Sequence, residues 1–122
     1  MVSDSQREMF DRVRAGVARD ARVDALLGMG SLVTGGWDAQ SDFDFAVVEA
    51  EPVADHRDFA EAIGPLLTCF TGEHVGEPKL LICLYGPPLL HVDYKFVPAA
   101  EPAQFGERPV VLWARDPAAT DP

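Results

Sequence analysis

Asp42 and Asp44, separated by Phe43, stand at the head of the apolar run Phe45-Ala46-Val47-Val48. The run reads as a β-strand, in which side chains two apart point to the same face. Two carboxylates held a strand repeat apart repel each other unless a positive charge sits between them. Oxygen ligands of this kind suit a hard divalent cation, magnesium above all where phosphates are also bound. The opposite face of the strand carries Phe43, Phe45 and Val47 and is ready to be covered. Upstream, the stretch from Gly30 to Asp44 opens with a tight Gly30-Ser31 turn. A third carboxylate, Asp93, falls in the alternating run Leu89 to Val97, where Leu90, Val92, Tyr94 and Phe96 occupy one face and His91, Asp93 and Lys95 the other. An unpaired buried charge is costly, so Asp93 needs a reason to be there. Pairing with His91 or Lys95 at a sheet edge is one such reason.

Met29-Gly30-Ser31 followed by Asp42-Phe43-Asp44 resembles the signature of the nucleotidyltransferase superfamily that includes DNA polymerase beta: an apolar residue, Gly-Ser, a short intervening segment, then Asp-apolar-Asp. The fuller wording of the small antibiotic-type and stand-alone members is Gly-Ser-x-x-Arg-Gly-x-x-Asp-x-x-Ser-Asp-x-Asp. This chain matches it at Gly30, Ser31, Gly35, Asp38, Ser41, Asp42 and Asp44, and departs from it at Thr34, where many members carry Arg. The resemblance implies transfer of a nucleoside monophosphate, AMP from ATP, to an acceptor hydroxyl. It implies two magnesium ions, with manganese as a substitute. Asp42 and Asp44 would hold them, and Asp93 resembles the family's third carboxylate, on a strand beside the Asp-x-Asp strand. Gly30 would let the backbone approach the nucleotide closely. Ser31 would cap a short helix through Leu32 to Thr34 and hold phosphate oxygens, as helix N-termini do. Lys95 is a minor candidate for a phosphate contact. His91 reads as a packed or surface histidine, and Trp37 as a lid on the core.

Three acceptor classes follow from the resemblance. One is a small cationic or hydroxylated molecule, as in the aminoglycoside and lincosamide enzymes that confer antibiotic resistance. A second is a partner protein, as in minimal nucleotidyltransferase antitoxins. The third is none at all, in a nucleotide-binding domain without turnover. Antibiotic-modifying relatives usually continue into a helical C-terminal domain. The chain is therefore expected to be either a piece of such a protein or a minimal enzyme, with a homodimer as one way to complete its acceptor wall.

The net charge of −10 over 122 residues argues against non-specific nucleic-acid binding, which rests on Lys and Arg neutralising phosphates. It would suit a cationic acceptor. No apolar run is long enough to span a membrane and no signal-peptide pattern opens the chain. Cys69 and Cys83 sit among apolar neighbours and read as reduced thiols of a cytoplasmic protein, with a disulfide as the alternative.

These site residues need elements to hold them. Ser5-Gln6-Arg7-Glu8 has the form of a capping box ahead of a helix with Met9, Phe10, Val13 and Val17 on one side. Val23 to Leu27 reads as a strand. Asp55 is a candidate N-cap for a helix through Phe59, Ala62 and Ile63, which Pro65 interrupts before Leu66, Leu67 and Phe70 carry its apolar face onward. Thr71 to Pro78 reads as a loop, Lys79 to Tyr85 and Leu89 to Val97 as strands, and Val110 to Trp113 as a short strand or extended segment. The expectation is one α/β (α+β) domain over residues 1–115 with the nucleotidyltransferase fold: a mixed, twisted sheet of about four or five strands with helices mostly on one face. Residues 116–122 would be a disordered tail or the start of a linker.

Overall fold

The computed structural model describes residues 4–29, 42–73, 76–86, 89–99 and 109–116. The first helix, α1 (Asp4–Arg19), turns Met9, Val13 and Val17 into the interior at helical spacing. Ser5 already lies inside it, so the capping box does not mark its start; the Asp4 carboxylate in the first turn complements the helix dipole instead. Strand β1 (Val23–Gly28) follows, then β2 (Phe43–Glu49) and helix α2 (His56–Ile63). Asp55 caps α2 as expected, its side chain accepting the Asp58 N–H at 3.1 Å. Removing a cap of this type costs about 1 kcal/mol. Asp55→Ala should therefore lower the urea midpoint by that equivalent with an unchanged slope, and an unchanged midpoint would show that the cap contributes nothing.

The chain then departs from expectation. Leu66–Gly72 is not a continuation of the helix but a strand, β3. Gly64, which ends α2, is extended (φ −174°, ψ −178°), as a residue before proline prefers. Beyond Pro65 the run Leu-Leu-Thr-Cys-Phe-Thr is rich in β-branched and aromatic residues that suit a pleated surface. It finds an antiparallel partner in β4 (Glu77–Tyr85), reached through Gly76 at φ +79°, a left-handed position that glycine adopts without strain. Strands β5 (Leu90–Pro98) and β6 (Val110–Ala114) complete the described elements.

Among the described residues the six strands form one sheet in the order β3-β4-β5-β2-β1-β6. Strand β2 runs parallel to β5, and the other pairings are antiparallel. The expected fold, a sheet of four or five strands with helices mostly on one face, is thus corrected to a mixed six-stranded sheet with, among the described residues, two helices. The added strand is β3. One core cluster joins Met9, Val13 and Val17 of α1, Phe59, Ala60 and Ile63 of α2, and the inward residues of the sheet, including Phe43, Phe45, Val47, Tyr94 and Phe96. Each such large apolar side chain contributes about 1.5–3 kcal/mol by leaving water. The helices approach closely at Gly16, where a Cβ would stand 2.9 Å from Ile63 Cγ1. The C-terminal end of β6 is fastened by Arg115, whose guanidinium donates to the carbonyls of Val23 (3.1 Å) and Asp20 (2.9 Å).

Candidate functional site

The parallel pairing of β2 with β5 decides where the carboxylates meet. Parallel strands place like ends side by side, and the register sets Asp44 directly beside Asp93, with Phe43 beside Val92 and Phe45 beside Tyr94. Alternation then separates the two faces. Phe43, Phe45, Val92 and Tyr94 go into the core. Asp44 and Asp93 share the other face, both half-buried, Asp44 near the start of β2 and Asp93 close to the middle of β5. On its far side Asp93 faces Ile82 of β4, so it stands between an apolar residue and a second carboxylate. Two positions along, Lys95 lies between Leu80 of β4 and Ala46 of β2. The backbone amide of Met29 donates to the Asp44 carbonyl at 2.9 Å, which holds the end of β1 against the start of β2.

Asp42 precedes β2 and is exposed. Its Oδ2 lies 3.2 Å from His91 Nδ1, while His91 Nε2 lies 2.7 Å from Asp93 Oδ1. The imidazole thus spans two of the three candidate carboxylates and occupies the gap between them. Asp93 accordingly does meet His91, though not at a sheet edge: β5 is flanked by β4 and β2. Sequence reasoning passed over His91 as a packed or surface residue. The signal that marks it is its i, i+2 spacing to Asp93, which puts both on one face of a strand.

Gly30 and Ser31, with Thr34, Gly35, Trp37, Asp38 and Ser41, lie outside the described residues. Of the expected site, then, the structure brings together Asp42, Asp44 and Asp93 through a register pair and a bridging histidine. Among the described residues no three His, Cys, Asp or Glu side chains are grouped so as to hold a metal ion. The donor chemistry of the three carboxylates suits a hard cation, but the His91 ring stands in the space they would share.

The opposite end of β2 carries a second polar cluster, which reads as packing. The buried Glu49 accepts the Val53 N–H at 2.7 Å, and His56 stacks on Phe96 with ring centroids 3.6 Å apart. Burial pushes the His56 imidazole below its ordinary value, against the pull of Glu49 and Asp55. No helix among the described residues is long and apolar enough to cross a membrane. No protein-family model matches this chain, and no curated protein matches it in sequence.

Proposed function

We propose that this chain is a metal-dependent nucleotidyltransferase that moves a nucleoside monophosphate, AMP from ATP, to a hydroxyl of a small, cationic, antibiotic-like acceptor. The observation that carries this reading is the register pair Asp44–Asp93 on adjacent parallel strands, with Asp42 two residues before Asp44 in sequence and 3.2 Å from His91, which also meets Asp93. It joins the Gly30-Ser31…Asp42-Phe43-Asp44 wording, whose resemblance to the nucleotidyltransferase superfamily supplies the reaction class. The acceptor oxygen forms a bond to the α-phosphorus, the bond to the β-phosphate oxygen breaks, and pyrophosphate leaves. Bound magnesium would neutralise the charge that develops on the attacking and leaving oxygens. Asp42, Asp44 and Asp93 would hold the metal, and Asp93 takes the acceptor's proton. Gly30 and Ser31 bind the triphosphate. Their work is positioning and charge neutralisation, as in phosphoryl transfer generally. His91 must withdraw from between Asp42 and Asp93 for the carboxylates to converge.

The net charge of −10 favours a cationic acceptor over a nucleic acid. A reaction that consumes ATP and magnesium is compatible with a cytoplasmic chain. The test is mass spectrometry of aminoglycosides, lincosamides and candidate partner proteins after incubation with each nucleoside triphosphate and magnesium. Addition of one nucleoside monophosphate to a small acceptor, with release of pyrophosphate, is the expected result. Addition to a protein instead would move the assignment to protein modification. No adduct together with no metal-dependent nucleotide binding would end the reading.

A further inference from the structure

Cys69 of β3 and Cys83 of β4 are direct register partners in an antiparallel ladder, and both are free thiols. Directly opposed residues in such a ladder have Cα atoms about 4.5–5.5 Å apart and side chains on the same face. A disulfide spans Cα separations of about 4.4–6.8 Å, so the backbone already stands at bridging distance. The two thiols differ in access. Cys83 is fully buried on an inner strand, beside Val92 of β5. Cys69 is partly exposed, packs on the margin of the core and belongs to the edge strand of the sheet.

We infer that Cys69 and Cys83 form a reversible cross-strand thiol–disulfide pair, in which Cys69 reacts with a low-molecular-weight disulfide of the glutathione type and Cys83 closes the bridge. In the first step the Cys69 thiol gives up its proton and its sulfur attacks one sulfur of the small disulfide. The S–S bond breaks, one small thiolate leaves and takes up a proton, and a mixed disulfide remains on Cys69. In the second step Cys83 gives up its proton, attacks the Cys69 Sγ and expels the second small thiol. Two electrons pass from the pair to the reagent: one disulfide is consumed, one is formed, and two small thiols are released. Burial pushes the Cys83 thiol up to about 12, so the second step is the slow one and the mixed disulfide precedes closure. Because the two cysteines are already direct partners in the ladder, closure needs no change of strand register. It ties the edge strand β3 to β4, the strand that flanks the His91–Asp93 segment of β5.

The experiment incubates the full chain with oxidised glutathione and follows intact mass, alkylatable thiols after denaturation, and melting temperature. The expected course is a transient glutathione adduct, then loss of two hydrogens relative to the reduced chain with both thiols blocked. The melting temperature should rise by about 10 °C, the scale for closing a loop of this length, and a dithiol reductant should reverse the rise. Cys83→Ala should stop at a stable adduct on Cys69, and Cys69→Ala should stay unmodified while folded. Persistence of the adduct on the wild-type chain, two thiols still open to alkylation, or disulfide-linked dimers in place of the internal bridge would each overturn the inference.

Discussion

Under the proposed nucleotidyl transfer, Asp44→Asn should lower the rate by about 10³-fold or more while leaving the metal-free chain folded. The substitution keeps the size and planarity of the side chain and removes its charge. Metal-borne stabilisation of transition-state charge is worth several kcal/mol, and each 1.36 kcal/mol is a factor of ten in rate. Without metal, Asp44 stands beside Asp93 in the parallel register, and like charges so placed repel, so the isosteric amide should leave the chain folded with a cooperative melting transition. With manganese and a non-hydrolysable ATP analogue, the wild-type chain should gain melting temperature if the proposed site binds them, because ligands that bind only the native state stabilise it. Asp44→Asn should not gain. Melting curves in a grid of metal and nucleotide, read beside transfer rates, separate the two effects. A wild-type melting temperature indifferent to metal and nucleotide together would remove Asp44 from any metal role, and so would a variant that keeps its full transfer rate.

What could be read in advance tracks how local each signal is. Alternation over Leu90 to Phe96 placed Val92, Tyr94 and Phe96 in the core and Asp93 on the other face, because period two is a property of the strand itself. The Asp55 cap is equally local. Strand β3 was not legible because Leu66, Leu67 and Phe70 fit a helical spacing as well as a strand, and short apolar runs are ambiguous on periodicity alone. Its state is settled by the long-range ladder to β4, where Cys69 meets Cys83 and Phe70 meets Ile82. The site divides in the same way. Asp42 and Asp44 are neighbours by spacing, and their nearness to Asp93 was reached only through a family resemblance. The contact of His91 with Asp42 depends on β2 lying parallel to β5, a pairing across some fifty residues that no local pattern encodes. Such a contact leaves no trace in the sequence beyond a histidine two residues from an aspartate.

Tyr94→Ala should destabilise the domain more than any other single change considered, and its cost can be separated into ring and hydroxyl. Tyr94 is fully buried and sits among Phe45 (centroids 6.1 Å apart), Phe59 (5.6 Å, edge-on) and Phe96 (6.4 Å). Its hydroxyl lies 3.0 Å from that of Tyr85, which in turn donates to the Ala60 carbonyl at 2.8 Å. Since Tyr85 spends its one proton on Ala60, Tyr94 is the donor between the two hydroxyls. Burial raises the pKa of both phenols, so both stay protonated. The chain of bonds therefore runs from β5 through β4 to α2. Truncating a large buried aromatic costs about 3–5 kcal/mol, set against a total of about 5–15 kcal/mol for a domain. At about 3–5 °C per kcal/mol for a chain of this size, Tyr94→Ala should lose on the order of 15 °C in melting temperature. Tyr94→Phe keeps the ring and leaves the Tyr85–Ala60 bond in place, so it should cost about 1 kcal/mol. Tyr85→Phe should cost more, about 2–3 kcal/mol, because it strands both the Ala60 carbonyl and the Tyr94 hydroxyl in the core. The order of losses is thus Tyr94→Ala, then Tyr85→Phe, then Tyr94→Phe, measured by chemical denaturation at one temperature. Equal losses for the two phenylalanine variants would mean that the hydroxyls do not act in series, and the directed chain from β5 to α2 would have to be abandoned.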